Sequence, residues 1–321
     1  IDPTLMNQKA AGMASAAELQ KQLWSESAEK RRELLMPFFW KQLAAAGMVL
    51  GNVSRGSSVQ VTNRYRVSYP GYSEILTGRA QDELVRGNDK IQNPAPTVLE
   101  FLADRLKLLR HDVALFASWD VFPYIGESQR GKIFINGGYM PADDSPRMRD
   151  LSALQFRVRT PWDSVRHDYI TLEMAVDYIK RRNPKVTYIA LGETDDWAHD
   201  RRYDRTLTAI QDFDGALKQI WELLSNSSFY RGRTLLVVTS DHGRGSTRED
   251  WHSHGEKIAG ADQIWIALLG PGVPAVGEVS NAQPVFQRDI APTILDLMGV
   301  DSRQYQGAAG KTIALHSLRS R

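Results

Sequence analysis

Aspartate and histidine side chains cluster in one part of the sequence, shortly after predicted buried strands. Four of the seven histidines lie between positions 199 and 254. Carboxylate oxygens and neutral imidazole nitrogens are the ligands that zinc and similar divalent ions prefer. The candidate ligands in this cluster are Asp195, His199, Asp241, His242 and His254. Together they predict a divalent metal site.

The spacing within the cluster indicates how these ligands are arranged. Asp195 and His199 are four residues apart, which places both on one side of a helical turn or tight loop. Asp241 and His242 are adjacent and point in different directions, so they suit a second ion or a bridging arrangement. A single Asp-His pair is more often a surface ion pair or a helix cap. Three such groups near strand ends favour metal binding, and the last group contains both His252 and His254.

A second candidate for chemistry is Ser68, which lies just ahead of a helix predicted over 73–77. Backbone N–H groups and the helix dipole at such a position favour a bound anion. A serine there is, by itself, more often a plain N-cap, but a hydroxyl held by a metal ion becomes a nucleophile. Taken together with the metal-ligand pattern, the nucleophile becomes the favoured interpretation. Weaker candidates for contacts to a substrate are Arg244, Asn88 and Asn93.

Helices that alternate with short apolar strands would position these residues. The clearest helix spans 202–224, where apolar residues recur at spacings of three and four. Strands are predicted over 112–117, 185–191, 234–239 and 263–269. Continuous apolar strands are typical of burial on both faces, and therefore of an α/β fold with a mostly parallel sheet sandwiched between helices. Ligands bind at the carboxyl ends of the strands in such sheets.

One segment departs from this alternation. The sequence predicts a single domain over 1–321, within which 122–163 contains four prolines, four glycines and only one short strand candidate at 132–135. This composition predicts a loop-rich insertion or a cap that shapes a substrate pocket. Towards the end of the chain, Asp289 is predicted as the N-cap of a helix that runs to Met298.

Composition excludes several classes of function. Lys and Arg number 40 against 38 Asp and Glu, so a net charge of +2 provides no basic field for a nucleic-acid polymer. No stretch approaches the length of a membrane-spanning apolar helix. Cysteine is absent, which excludes disulfides, cysteine nucleophiles and cysteine-ligated zinc. No pattern indicates the oligomeric state.

These motifs together resemble the alkaline phosphatase superfamily, especially its nucleotide pyrophosphatase/phosphodiesterase and sulfatase-like branches. The residues that match the family's nucleophile pattern are Ser68, Pro70, Thr77 and Gly78. The family's Asp-x-x-x-His, Asp-His-Gly and late His-Gly motifs are matched at 195–199, 241–243 and 254–255. The resemblance runs from about 57 to 299, and the order and spacing of its short motifs make it specific.

The resemblance implies a metal-dependent hydrolase of small phosphate mono- or diesters that works through a phosphoseryl intermediate at Ser68. It also implies two divalent metal ions, with zinc the expected metal. One ion would be held by Asp195, His199 and His254. The other would be held by Asp241, His242, the Ser68 oxygen and one further Asp, which ends the first strand in the family.

Two alternatives remain open. The first is a sulfatase or phosphonate hydrolase of the same superfamily. Family sulfatases have Arg four residues after the position that is converted to formylglycine, whereas this chain has Tyr72 there and no cysteine precursor. The second is a degenerate member that binds anions without catalysis, because no match to the further Asp is found.

The start of the chain leads to two expectations. The sequence begins at Ile1-Asp2-Pro3, without an initiator Met or an apolar leader, so we expect a trimmed piece of a longer product. No apolar strand followed by Asp-Gly precedes Ser68, and Asp2 lies in no such strand, so we expect the first family strand to be left out. The resemblance also implies an exported protein, either periplasmic or secreted.

Overall fold

Helices and short strands alternate along the computed structural model, which describes residues 16–318. The α-helices are α1 (Ala16–Leu23), α2 (Ala28–Leu35), α3 (Ala44–Ala46), α4 (Ser68–Thr77), α5 (Val98–Arg105), α6 (Phe122–Ile125), α7 (Pro146–Arg157), α8 (Asp168–Arg182), α9 (Glu193–His199), α10 (Tyr203–Asn226) and α11 (Ile290–Leu297). A π-helix, Phe39–Leu43, precedes α3. Short 3-10 turns lie at Val53–Arg55, Arg110–Asp112, Gln287–Asp289, Ser302–Gln304 and Leu315–Ser317.

The strands are short and mostly buried. They are β1 (Met48–Leu50), β2 (Val59–Gln60), β3 (Val113–Ala117), β4 (Phe134–Gly137), β5 (Val186–Ala190), β6 (Leu236–Thr239), β7 (Gln263–Ile264), β8 (Ile266–Leu269), β9 (Gly277–Glu278) and β10 (Val285–Phe286).

The contacts of the chain divide it into two compact units. The first unit comprises Ile1–Val59, Glu193–Pro284 and Ala314–Arg321, and the second comprises Gln60–Gly192 and Val285–Ile313. Each unit has its own sheet and its own apolar core. The single domain over 1–321 stays a prediction.

The second unit is built on a parallel sheet with the strand order β4-β3-β5. Every residue of the central strand β3 is fully buried, because both faces of the sheet are covered. On one face Leu115 shares a core with Leu99 of α5, and on the other Phe116 packs in a cluster with Met174 of α8. This arrangement confirms the predicted α/β fold with helices on both faces of a parallel sheet.

The first unit contains a mixed sheet with the order β6-β8-β1-β9. Strand β8 is antiparallel to both β1 and β6, while β1 and β9 are parallel. Helix α10 packs on this sheet through Leu217, as its period of three and four predicts. Asp214 of the same helix accepts hydrogen bonds from the backbone N–H groups of Phe38 and Phe39, at 2.8 and 2.7 Å. This contact fixes the start of the π-helix Phe39–Leu43.

Two elements differ from the sequence-based expectations near the start of the chain. Strand β1 was not predicted, because its three residues are too few to show a period, and it is followed by Gly51-Asn52 rather than Asp-Gly. Helix α4 begins at Ser68 itself, not at position 73. Asp2 lies outside the described residues.

Segment 122–163 contains three regular elements besides its loops, and the loop-rich insertion or cap stays a prediction. It contains α6, β4 and α7, and β4 pairs in parallel with β3. Pro146 begins α7 directly after the capping residue Ser145, a position where proline costs no hydrogen bond. Asp289 also differs from its predicted role, since its carboxylate accepts from Phe286 and Lys311 rather than capping α11.

Candidate metal centre and nucleophile segment

Asp195 and His199 face each other across one turn of α9. The carboxylate Oδ2 of Asp195 lies 3.1 Å from Nε2 of His199. Three of the seven residues of α9 are acidic and lie in its first turn, where the helix dipole favours negative charge. The helical turn that the spacing of four predicted is therefore present, and both side chains lie on one side of it.

His242 and His254 bring two further imidazoles to the same carboxylate. Their rings stack with centroids 3.8 Å apart, and their side chains are only 3% and 8% exposed. Nε2 of His242 lies 3.9 Å from Oδ1 of Asp195, and Nε2 of His254 lies 3.8 Å from it. Nε2 of His254 is also 2.9 Å from Nε2 of His199. The structure therefore brings four of the five predicted ligands together around Asp195.

The fifth predicted ligand, Asp241, lies beside His242. Its Oδ2 is 3.4 Å from Nε2 of His242. Nδ1 of His242 lies 2.9 Å from the backbone carbonyl oxygen of Gly243. A carbonyl oxygen only accepts, so Nδ1 carries the proton and Nε2 presents its lone pair, which is the tautomer that binds a metal ion.

This donor set fits a divalent metal ion. The ligand atoms of Asp195, His242 and His254 all lie within 4.8 Å of one another. Ligands held about 2.0–2.1 Å from a tetrahedral zinc ion lie about 3.4 Å apart, close to the separations in the cluster. Two imidazole lone pairs at 2.9 Å, as between His199 and His254, repel unless a proton or a cation lies between them. The identity and the number of ions are part of the proposal below.

Arg244 lies against the metal cluster. Its guanidinium donates to the carbonyl oxygen of His252 at 2.9 Å, to the carbonyl oxygen of Asp195 at 3.1 Å, and to Oδ1 of the Asp195 carboxylate. Burial lowers the pKa of Arg244 to about 10, so the guanidinium is still charged at neutral pH. The side chain that the sequence offered as a substrate contact is therefore engaged with the ligand Asp195.

Ser68 is the first residue of α4. Its neighbour Val67 occupies the N-cap position without a side-chain hydrogen bond to the helix. The backbone N–H of Tyr69 donates to Oδ1 of Asn88 at 2.9 Å, so Asn88 satisfies one of the N–H groups that a helix start leaves without a helical partner. The structure thus brings the predicted nucleophile segment and Asn88 together.

Asn93 has a different environment from Asn88. It is 2% exposed, and its side-chain oxygen accepts from Gln81 Nε2 at 3.1 Å and from the Ala95 N–H at 3.2 Å. Its amide nitrogen donates to the carbonyl oxygen of Ile125 at 2.9 Å. Asn93 therefore connects segments of the second unit, and we do not carry it forward as a substrate contact.

Glu74 of α4 is a buried acid that the sequence analysis did not single out. Its carboxylate accepts from the backbone N–H and the hydroxyl of Thr62, and from the backbone N–H and side-chain amide of Asn63, at 2.7 to 3.0 Å. Burial raises the pKa of Glu74, and these hydrogen bonds oppose that rise. A glutamate in the middle of an apolar helix stretch was the available signal. The Glu74 carboxylate anchors the chain at 62–63 to the helix that begins at Ser68.

Replacing this acid with its amide tests the anchor. In Glu74→Gln, one acceptor oxygen becomes an NH₂ group that faces N–H donors, so buried donors lose their acceptor. We expect the free energy of unfolding to fall by about 2–3 kcal/mol, measured by urea denaturation. Glu83→Gln, at an exposed acid of the same unit whose side chain is 94% accessible, is the matched control. An equal stability of Glu74→Gln and the control would contradict the anchor.

Comparison with known proteins shows which families and structures this chain is similar to. Residues 165–302 match the model of the Metalloenzyme superfamily, a segment that contains all five predicted metal ligands. The wild-type alkaline phosphatase PafA superposes with a TM-score of 0.59 and 12% identity over 85% of this chain and 92% of its own. The family model covers less than half of the chain, and the likeness to PafA at 12% identity is one of fold. The α/β architecture of this chain is the alkaline phosphatase-like fold, as the motifs predicted.

Other structures similar to this chain include a sulfatase and a nucleotide pyrophosphatase/phosphodiesterase. A 2-O GAG sulfatase matches with a TM-score of 0.55 and 14% identity over 87% of this chain and 68% of its own. An inactive variant of murine ectonucleotide pyrophosphatase/phosphodiesterase 5 in complex with AMP matches with a TM-score of 0.54 and 12% identity, over 83% and 90% of the two chains. At these identities the likeness concerns the fold.

One curated relative, arylsulfatase K of Danio rerio, is 32% identical over 100 residues. The match covers 31% of the alkaline phosphatase-like chain and 18% of the length of that relative. Members of the superfamily are metal-dependent hydrolases that include sulfatases, phosphatases and phosphodiesterases. Among residues 16–318, no helix combines the length and apolar character needed to cross a bilayer.

Proposed function

We propose that this chain hydrolyses small phosphate mono- or diesters, with divalent metal ions bound at the Asp and His cluster and Ser68 as the nucleophile. The observation that carries the proposal is the convergence of three imidazoles on Asp195 (the rings of His199, His242 and His254). Carboxylate and imidazole ligands suit zinc, which is the metal we propose. Bound divalent ions would supply positive charge for phosphoryl oxygens and lower the pKa of a hydroxyl or water.

The proposed ligand sets share one carboxylate. Oδ2 of Asp195 faces His199, while Oδ1 lies nearest to His242 and His254. Asp195 is therefore placed to serve a first ion with His199 and His254. It also lies beside His242, which with Asp241 would serve a second ion. These proposed ligand sets do not include the further Asp that ends the first strand in the family.

The reaction uses the hydroxyl of Ser68. Its oxygen forms a bond to phosphorus, the bond from phosphorus to the ester oxygen breaks, and the alcohol leaves with a proton. A water molecule then forms a new bond to phosphorus, the bond between phosphorus and the Ser68 oxygen breaks, and that oxygen regains a proton. The product is phosphate from a monoester, or a phosphate monoester from a diester. The helix N-terminus at Ser68 favours the negative charge of the phosphoryl group. The amide nitrogen of Asn88, beside Tyr69, would donate to a phosphoryl oxygen.

A sulfatase is the second candidate. The observation in its favour is the 32% identity to arylsulfatase K over 100 residues. Against it stand Tyr72, four residues after Ser68, and the absence of cysteine from the whole sequence. A sulfate ester and a phosphate ester have the same tetrahedral shape. The shape of the substrate group therefore does not separate the two candidates.

Hydrolysis of three chromogenic esters tests the proposal. The metal-loaded protein is assayed with p-nitrophenyl phosphate, bis-p-nitrophenyl phosphate and p-nitrophenyl sulfate, and we expect kcat/KM to be highest for one of the phosphate esters. The ratio between the two phosphate esters then assigns a monoesterase or a diesterase. Turnover of the sulfate alone would favour the sulfatase. Binding of metal with no turnover of any ester would favour the degenerate, anion-binding member.

The cellular location of the protein is part of the same proposal. The resemblance to exported members of the superfamily supports a periplasmic or secreted location. Fractionation of cells that express the natural gene, with the protein followed by antibody, tests this location, and recovery in the cytosol alone would contradict it.

A further inference from the structure

The backbone around Arg244 is fixed by two glycines that contact other segments of the first unit. The N–H of Gly243 donates to the carbonyl oxygen of Ala261 at 2.9 Å, and the N–H of Gly245 donates to the carbonyl oxygen of Ser253 at 3.0 Å. A Cβ atom at Gly243 would lie 2.3 Å from two backbone oxygens, and one at Gly245 would lie 2.4 Å from the Asp250 carbonyl oxygen. The side chain of Arg244 therefore extends from a backbone that has little freedom to move.

The Arg244 side chain reaches two other segments that carry proposed metal ligands. One end of its guanidinium donates to the carbonyl oxygen of His252, two residues before His254. The other end donates to the backbone and the carboxylate of Asp195 on α9. Arg244 itself lies two residues after His242. One planar, forked cation thus connects all three segments that supply the ligands.

We propose that Arg244 is a positioning residue that holds Asp195, His242 and His254 in the geometry that binds a metal ion. This inference rests on the proposed function, because it concerns the same metal centre. Two of its three bonds go to backbone carbonyl oxygens, so they act on the paths of the segments and not only on the charge of Asp195. The guanidinium is suited to this role since it donates from two nitrogens in fixed directions.

Replacement of Arg244 with lysine separates its positioning role from its charge. Arg244→Lys keeps the positive charge beside Asp195 but has one nitrogen, which cannot reach both segments as the fork does. We expect its affinity for Zn²⁺ to fall about 10-fold, measured by competition with a chromogenic chelator. Arg248→Lys, an exposed position on the same loop, is the matched control and should bind like the unaltered protein.

Hydrogen exchange provides a readout that involves no metal. In the metal-free protein, Arg244→Lys should increase amide exchange in both 193–199 and 252–255, whereas Arg248→Lys should leave both segments unchanged. Unaltered exchange in these segments would overturn the proposal, as would equal or tighter Zn²⁺ binding by Arg244→Lys. Faster exchange with weaker binding supports it.

The failures of the two proposals are distinguishable. If the unaltered protein binds Zn²⁺ but hydrolyses no phosphate ester, the proposed function fails, while the binding and exchange results still decide the role of Arg244. If it hydrolyses phosphate esters and Arg244→Lys matches it in affinity and exchange, only the positioning role fails.

Discussion

Replacing Ser68 with alanine is expected to lower kcat for phosphate ester hydrolysis by about 10⁴-fold or more. The variant lacks the oxygen that forms the bond to phosphorus, and the residual rate would come from direct attack by water. Metal binding should persist, because the imidazole ligands of the centre are unaltered. Initial rates with p-nitrophenyl phosphate and metal content by plasma mass spectrometry measure both quantities.

Ser68→Thr is the matched control for this change. Threonine retains a hydroxyl, so measurable turnover should remain. Acid quenching during turnover should trap a phosphoryl group on the unaltered protein and none on Ser68→Ala, as read by intact mass. Full activity of Ser68→Ala would remove Ser68 from the mechanism, whatever the metal content.

Removal of metal has the second large expected effect. Dialysis against a chelator should bring phosphate ester hydrolysis below detection, and Zn²⁺ should restore it. His254→Ala should prevent this recovery, because its imidazole lies near both Asp195 and His199. His111→Ala, at an exposed histidine outside the cluster, should recover like the unaltered protein.

Binding of metal should also appear in stability. An ion that binds only the folded state adds about 2.7 kcal/mol to the free energy of unfolding at 100 times its Kd. This increase on addition of Zn²⁺ should be present in His111→Ala and absent in His254→Ala. A metal-independent activity, or equal stabilisation of both variants, would show that the cluster around Asp195 is not the metal centre.

The sequence predicted those parts of the fold that local patterns determine. Helix α10 shows its apolar residues over many turns, and β3 is continuously apolar because both its faces are buried. Strand β1 is too short for any periodicity, and its pairing with β8 depends on residues more than 200 positions away. Helix α7 within segment 122–163 was not predicted for a related reason, since Pro146 begins a helix only when Ser145 caps it.

The same distinction between local patterns and contacts with distant segments applies to the candidate site. The pairing of Asp195 with His199 follows from their spacing on one helix, and the motif order indicated that His242 and His254 are ligands. The stacking of those two rings and the contact of Arg244 with Asp195 arise from the path of the loop between them. That path depends on backbone contacts of Gly243 and Gly245 with distant segments, which carry no local signature.

Asp195 and the three imidazoles around it differ widely in their access to solvent. His242 and His254 are 3% and 8% exposed, whereas Asp195 is 31% and His199 is 47% exposed. A chelator that removes a bound metal ion would compete for coordination positions that solvent can reach, so His199 would be the first of the proposed ligands to exchange. The buried pair would keep the ion in place during this step. The centre would therefore load and release metal in stages from one side, with His199 setting the rate of exchange and the inner imidazoles setting the affinity.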